Sequence, residues 1–186
     1  MVLLQTREVN QDHWLDFEAL FECKGSPHFC YCMVWRAVGE ERRMKGPLRK
    51  AAMKQRVDAG THVGLIGYAE GAPVAWCSVA PRSTYRRLGG LEMVDEAPED
   101  VWSIACFFVK RQWRGQGFTR QLIQAAISHA RAKSAKVLEA YPVSPDAPSY
   151  RFMGQVPTFE QMGFTQVAQA GYRRHVMRLS LTAAHP

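Results

Sequence analysis

No stretch of this 186-residue chain approaches the uninterrupted apolar length of a membrane span, so helical insertion into a bilayer is not expected. The opening residues 1–8 hold too short an apolar run for a secretory signal, which makes a soluble, cytoplasmic protein the expectation. Cysteines number five, an odd count with no export signal, and this argues for reduced thiols rather than a disulfide framework. Cys23, Cys30 and Cys32 with His28 can be drawn as a metal site, but their spacing fits none of the common zinc patterns and no second ligand pair follows, so no metal is expected. Repeats and long linkers are missing as well, and the length suits one well-filled core: a single domain over residues 1–186. The basic residues behind the net charge of +7 are spread along the chain and no nucleic-acid motif accompanies them. A small anionic partner therefore fits better than RNA or DNA.

What is there is organised around Gln112-Trp113-Arg114-Gly115-Gln116-Gly117-Phe118-Thr119. Before it, residues 101–109 read as a buried strand, with Val101, Trp102, Ile104, Phe107, Phe108 and Val109. After it, Phe118, Leu122, Ile123, Ala126, Ile127 and Ala130 share one face of a helix running from 118 to about 133. Two glycines one residue apart let the backbone turn tightly and approach a ligand that a Cβ would push away. The free N–H groups of the first helical turn point at that ligand, and the helix dipole adds positive potential. Lys110, Arg111, Arg114 and Arg120 surround the turn, so the segment reads as a phosphate-binding loop. It lacks both the Gly-Lys-Ser/Thr ending of a nucleoside-triphosphate loop and the third glycine of a dinucleotide fingerprint.

Elsewhere the pattern predicts a strand within 3–9 and helices over 12–22 and from Pro47 to just before Gly60. A hairpin is expected with arms 61–69 and 72–80 around Glu70-Gly71. Residues 25–36 are rich in aromatic and sulfur groups, so they should pack on the core or line a pocket. The aperiodic stretch 82–100 is basic in front (Arg82, Arg86, Arg87) and acidic behind (Glu92, Asp95, Glu96, Glu99, Asp100), and reads as a solvated loop or a lid. A strand over 136–143, a proline-rich connection, a short helix ended by Gly163 and strands over 165–169 and 172–181 complete the chain.

Gln112-x-x-Gly115-x-Gly117, directly after a strand, resembles motif A of the GNAT superfamily of N-acetyltransferases. Phe159-Glu160-Gln161-Met162-Gly163-Phe164 looks like that family's motif B, commonly Tyr-x-x-x-Gly-Phe. The resemblance covers residues 61–181 well and residues 1–60 in outline. It implies an α/β (α+β) fold: a mixed, mostly antiparallel central sheet with helices on both faces and a splay between the fourth and fifth strands. It also implies acetyl-CoA as co-substrate, its pyrophosphate held by Arg114, Gly115, Gln116, Gly117, Phe118 and Thr119 and its pantetheine arm lying along Phe107, Phe108 and Val109. One N–H of that strand would polarise the thioester carbonyl. On the acceptor side the resemblance points to Cys32, Trp35 and Arg36. The activity implied is acetyl transfer to a primary amine of a small molecule or peptide, by direct attack in a ternary complex. Whether the chain forms a homodimer stays open.

Two features depart from the family. Where many relatives carry a carboxylate on the fourth strand, residues 102–106 have none. Glu139 is the expected general base, since a carboxylate in an apolar strand is costly unless paired or working; a structural ion pair with an arginine is the other reading. At the motif B tyrosine, a general acid in many relatives, stands Phe159, which has no proton to give. Tyr141, two residues from Glu139 and on the same face, is the expected substitute, with Tyr150 behind it. Cys106 could form an acyl-enzyme, though a lone buried cysteine is more often an inert small hydrophobe. Two other functions compete: a coenzyme A-binding sensor without catalysis, and an acetyltransferase acting on aminoacyl-tRNA.

Overall fold

Seven strands and four helices make up the regular structure of residues 2–90 and 97–182, the part described by a computed structural model. In chain order they are β1 (Gln5–Glu8), α1 (Trp14–Glu22), α2 (Pro47–Asp58), β2 (Leu65–Ala69), β3 (Ala72–Pro81), β4 (Val101–Val109), α3 (Phe118–Ala132), β5 (Val137–Ala140), α4 (Val156–Glu160), β6 (Thr165–Ala170) and β7 (Arg174–Ser180). They form one sheet in the order β1-β2-β3-β4-β5-β7-β6, parallel between β4 and β5 and antiparallel at every other pairing. The mixed, mostly antiparallel sheet read from the sequence is the sheet observed.

Alternation along the strands sends successive side chains to opposite faces, and a helix covers each face. On one, Leu65, Ala75, Cys77 and Val79 pack with the α3 stripe of Phe118, Leu122, Ile123, Ala126, Ile127 and Ala130. On the other, Ile66, Trp76 and Phe108 pack with Trp14, Phe17, Leu20 and Phe21 of α1 and with Ala52, Met53 and Val57 of α2. Gly67 lets α3 settle close: a Cβ there would stand 3.4 Å from Leu122 and 3.2 Å from Ala75. Between β2 and β3, Glu70 (φ 51°) and Gly71 (φ 76°) make the two-residue turn with both central residues left-handed that hairpins favour.

Three expectations need adjusting. The strand predicted over 136–143 stops at Ala140; Pro142 has no N–H to offer a ladder, and Val143 bridges instead to Gln155 and Arg174. The first hairpin arm starts at Leu65 rather than at residue 61. The front of 82–100 is not a solvated loop: Tyr85 and Leu88 are buried, and Arg86 donates from Nε to the Val34 carbonyl at 2.8 Å. Glu92, Asp95 and Glu96 of its acidic half lie outside the described residues.

The register of β4 positions everything that follows. Against β3, Ser78 pairs with Cys106 and Val79 with Ile104, so Ala105 is an extra residue, a β-bulge. Against β5, pairing covers only Val101 to Ile104 with Val137 to Ala140. Residues 105–109 continue past the last β5 partner. Because the Leu122 side chain is fully buried between α3 and β2, Leu122→Ala should cost about 2–5 kcal/mol, measured as a lower urea midpoint with an unchanged slope.

Candidate functional site

At the end of β4 the chain makes a short 3-10 turn, Arg111–Trp113, and then the glycine loop into α3. Gly115 (φ 77°) and Gly117 (φ 76°) are both left-handed, and a Cβ on either would meet no protein atom within 4 Å. Their conformation demands glycine, and the space above them is open for a ligand. The first bond within α3 runs from the Gln121 N–H to the Gly117 carbonyl, 3.2 Å, which leaves the N–H groups of Phe118, Thr119 and Arg120 without an intrahelical acceptor. No side chain caps this end and no acidic residue stands in the first turn, so an anion would meet free donors and positive potential. Trp113 stacks on Phe118, ring centroids 5.8 Å apart, and Arg114 Nε donates to the Val109 carbonyl at 3.0 Å, which together hold the loop against the strand.

This loop forms one wall of a cavity of about 980 Å³. Cys106, Phe107, Phe108 and Val109 of β4 form a second, and residues 25–35 a third. Across from β4 stand Arg151, Phe152, Gly154 and Gln155, with Thr158 and Gln161 beyond them. Of the residues predicted to hold the phosphate and its arm, Phe107, Phe108, Val109, Arg114, Gly115, Gly117, Phe118 and Thr119 all line this cavity; Gln116 does not. The far wall from 151 to 161 was missed in the sequence, where the proline-rich connection offers no periodic signal. Three arginines and no carboxylate line the cavity among the described residues.

On the third wall the sequence candidates separate. Cys32 and Trp35 line the cavity, whereas Arg36 is only 2% exposed and lies behind them. Its guanidinium donates to the Val63 carbonyl (2.7 Å), Ser78 Oγ (3.1 Å), Tyr85 OH (2.8 Å) and Thr84 Oγ1 (3.0 Å), and packs 4.0 Å above the Tyr85 ring. All four acceptors are neutral. Cys32 accepts from the Trp76 indole N–H at 3.3 Å. The neighbouring Cys106 thiol, then the charge of Arg36 and the Ser78 hydroxyl, draw Cys32 down to about 6 against the pull of burial, and the Cys106 thiol itself donates to the Phe107 carbonyl at 3.7 Å. The neighbouring Cys32, together with burial, pushes Cys106 well up; burial and then the neighbouring Cys32 raise Cys30 to about 11.

Glu139 and Tyr141, the expected acid–base pair, sit elsewhere. Both are fully buried and neither lines the cavity. Glu139 takes a hydrogen bond from Tyr141 OH on Oε1 and from Arg178 Nε on Oε2 at 2.7 Å, while Arg82 approaches Oε1 at 3.6 Å. Gly90 closes over this group, since a Cβ there would fall 2.1 Å from Oε1. The geometry is thus that of the structural ion pair, the other reading of Glu139. Burial and the Glu139 carboxylate raise Tyr141 well above the usual phenol, which makes it a poor proton donor. Tyr150 does not line the cavity, and Phe159 is buried with its ring 6.2 Å from that of Phe107 and 5.1 Å from that of Phe164.

A family model described as the acetyltransferase (GNAT) family matches residues 9–164. Among solved structures, the GNAT domain of S. lividans PAT is 18% identical, with a TM-score of 0.59 over 95% of this chain and 90% of that one. The structure of yncA from Salmonella typhimurium with its cofactor acetyl-CoA is 17% identical, with a TM-score of 0.56 over 98% of this chain and 96% of that one. An N-acetyltransferase from Staphylococcus aureus Mu50 is 13% identical, with a TM-score of 0.56 over 96% and 99%. At these identities the likeness to the three structures is one of fold. No curated protein matches the chain.

Removing one partner of a buried ion pair strands the others, so Glu139→Ala should lower unfolding stability by about 3–5 kcal/mol in chemical denaturation. Glu139→Gln, which keeps the volume and one acceptor for Tyr141 or Arg178, should lose less.

Proposed function

Because this chain belongs to the acetyltransferase (GNAT) family, we propose that it transfers the acetyl group of acetyl-CoA to a primary amine of a small molecule or peptide. The observation that carries this reading is the shared cavity: the end of β4 that runs past its β5 partner and the open N-terminus of α3 face the same space. In this reading the N–H groups of Phe118, Thr119 and Arg120 bind the diphosphate, and Arg114 and Arg120 add charge. The backbone of residues 106–109 holds the pantetheine arm as an added strand would be held, through main-chain hydrogen bonds. One N–H of that segment polarises the thioester carbonyl as negative charge develops on its oxygen. Cys32 and Trp35 face the acceptor, and Arg36 supports their loop from beneath.

Moving acetyl to an amine needs a group to take the amine's proton and one to protonate the departing thiolate. Apart from arginine, the titratable side chains lining the cavity among the described residues are Cys30, Cys32 and Cys106. Direct attack in a ternary complex has room in about 980 Å³, and a relay through the protein is equally compatible with that volume. A coenzyme A-binding domain without turnover is the second reading, favoured by Phe159 where an acid would stand.

Calorimetry with acetyl-CoA should show binding, and Gly117→Glu, which fills the open space with a like charge to phosphate, should weaken it about a hundredfold (roughly 3 kcal/mol) with an unchanged circular dichroism spectrum. Release of coenzyme A thiol with a panel of amines separates the readings. Heat with turnover supports the transferase, heat without turnover supports the binding domain, and no heat from the parent overturns both.

A further inference from the structure

We propose that Glu8, His62 and His129 form a binding site for a divalent transition-metal ion of the zinc class. None of the three lines the cavity, and His129 stands roughly 16 Å along α3 from the glycine loop, so the site is independent of the acetyl-CoA reading.

The three residues lie far apart in the chain, a juxtaposition with no spacing signature. Glu8 ends β1, His62 precedes β2, and His129 sits on α3. The fold brings one ligand atom from each within 4.8 Å of the others. Two contacts meet on a single oxygen: His62 Nδ1 donates to Glu8 Oε1, and His129 Nε2 stands 3.7 Å from the same atom. Around a tetrahedral ion with bonds of about 2.0 Å, ligand atoms sit about 3.3 Å apart. His129 is thus already near its place, and His62 draws back as the ion enters.

His129 carries the second observation. Its Nε2 is buried without a hydrogen-bond partner among the described residues, and at 3.7 Å the Glu8 oxygen is too distant to be one. A simple ion pair would close to hydrogen-bond distance, as Glu8 does with His62. An ion between Nε2 and Oε1 satisfies the stranded nitrogen instead. The other carboxylate oxygen is fixed separately: Lys133, four residues on from His129 and on the same side of α3, reaches Glu8 Oε2 at 3.1 Å. That bond leaves Oε1 to the two rings, the part an outer partner plays for a ligating carboxylate. The indole of the buried Trp102 backs both imidazoles, its ring centroid 5.2 Å from His62 and 5.4 Å from His129.

The protonation states agree. Burial holds the His129 ring below the usual imidazole range despite the nearby Glu8. Against burial, hydrogen bonds from His62 and Lys133 hold the Glu8 carboxyl below the usual carboxylate range. Near neutral pH the two are a neutral imidazole and a carboxylate, the forms that ligate. His62 frees its Nδ1 by moving the proton to Nε2, the ring's other tautomer.

Two imidazole nitrogens and one carboxylate oxygen suit zinc, nickel or copper(II) rather than magnesium or calcium, which take oxygen ligands. Three protein ligands leave a fourth position to water. An ion held there joins the end of β1, the approach to β2 and α3, which only folding brings together, so its binding adds to stability.

The metal-free full chain is titrated with zinc chloride in a calorimeter near neutral pH. One ion per chain is expected, and zinc at about a hundred times its dissociation constant should displace the unfolding equilibrium about a hundredfold toward the folded state. His62→Gln and His129→Gln should each weaken binding by about a hundredfold while keeping the parent circular dichroism spectrum. The cysteines are the competing ligands, so X-ray absorption is measured on the zinc-loaded parent, which decides the matter whether or not a variant folds. A first shell of nitrogen and oxygen alone, with the outer scattering of imidazole, is expected. Sulfur in that shell, parent-like affinity in either variant, or no zinc binding by the parent at millimolar zinc overturns the proposal.

Discussion

The parting of β4 from β5 is the constraint on which the rest of this structure depends. Two strands can pair only while both present hydrogen-bonding groups in register, and here pairing ends at Ile104 and Ala140. On one side Ala105 bulges out and turns the remainder of β4; on the other, Pro142 removes a donor and Val143 is drawn to Gln155 and Arg174. The gap that results is a cavity with exposed backbone along one wall. Had β5 followed β4 to Val109, the same residues would form an ordinary sheet interior with nowhere for a ligand arm to lie.

Around that gap the protein buries charge in two different ways. Glu139 satisfies the familiar rule that a buried charge is paired: Arg178 and Tyr141 bond it, Arg82 stands near, and Gly90 seals it. It ties β5 to β7 and to the segment after β3, outside the cavity. Arg36 is buried differently, against four neutral oxygens and the face of the Tyr85 ring.

Much of this was legible from the chain. The glycine loop between an apolar strand and an amphipathic helix was readable because positive φ and free N–H groups impose a residue pattern that survives in any setting. Residues 107–109 and 114–119, Gln116 apart, do line one cavity. The acid–base candidates were less legible. Glu139 and Tyr141 share a face by strand alternation, which is correct, but alternation does not say which face meets the ligand, and theirs meets Arg178 and the segment at Gly90. Arg36 read as an acceptor-contact residue, because burial of a charged side chain in a loop has no periodic signature.

What the sequence determined by itself was everything governed by near neighbours: the strands and helices, the hairpin at Glu70 and Gly71, the open helix end beyond Gly117, and the family to which the pattern belongs. Tertiary structure alone decided which distant side chains share an environment. It sent Glu139 into an ion pair, placed Arg36 behind Cys32, and brought Cys106 from β4 against Cys32 from the loop. The physical reason is that backbone conformation responds to residues a few positions away, whereas the state of a charge or a thiol depends on the groups that packing brings around it from remote parts of the chain.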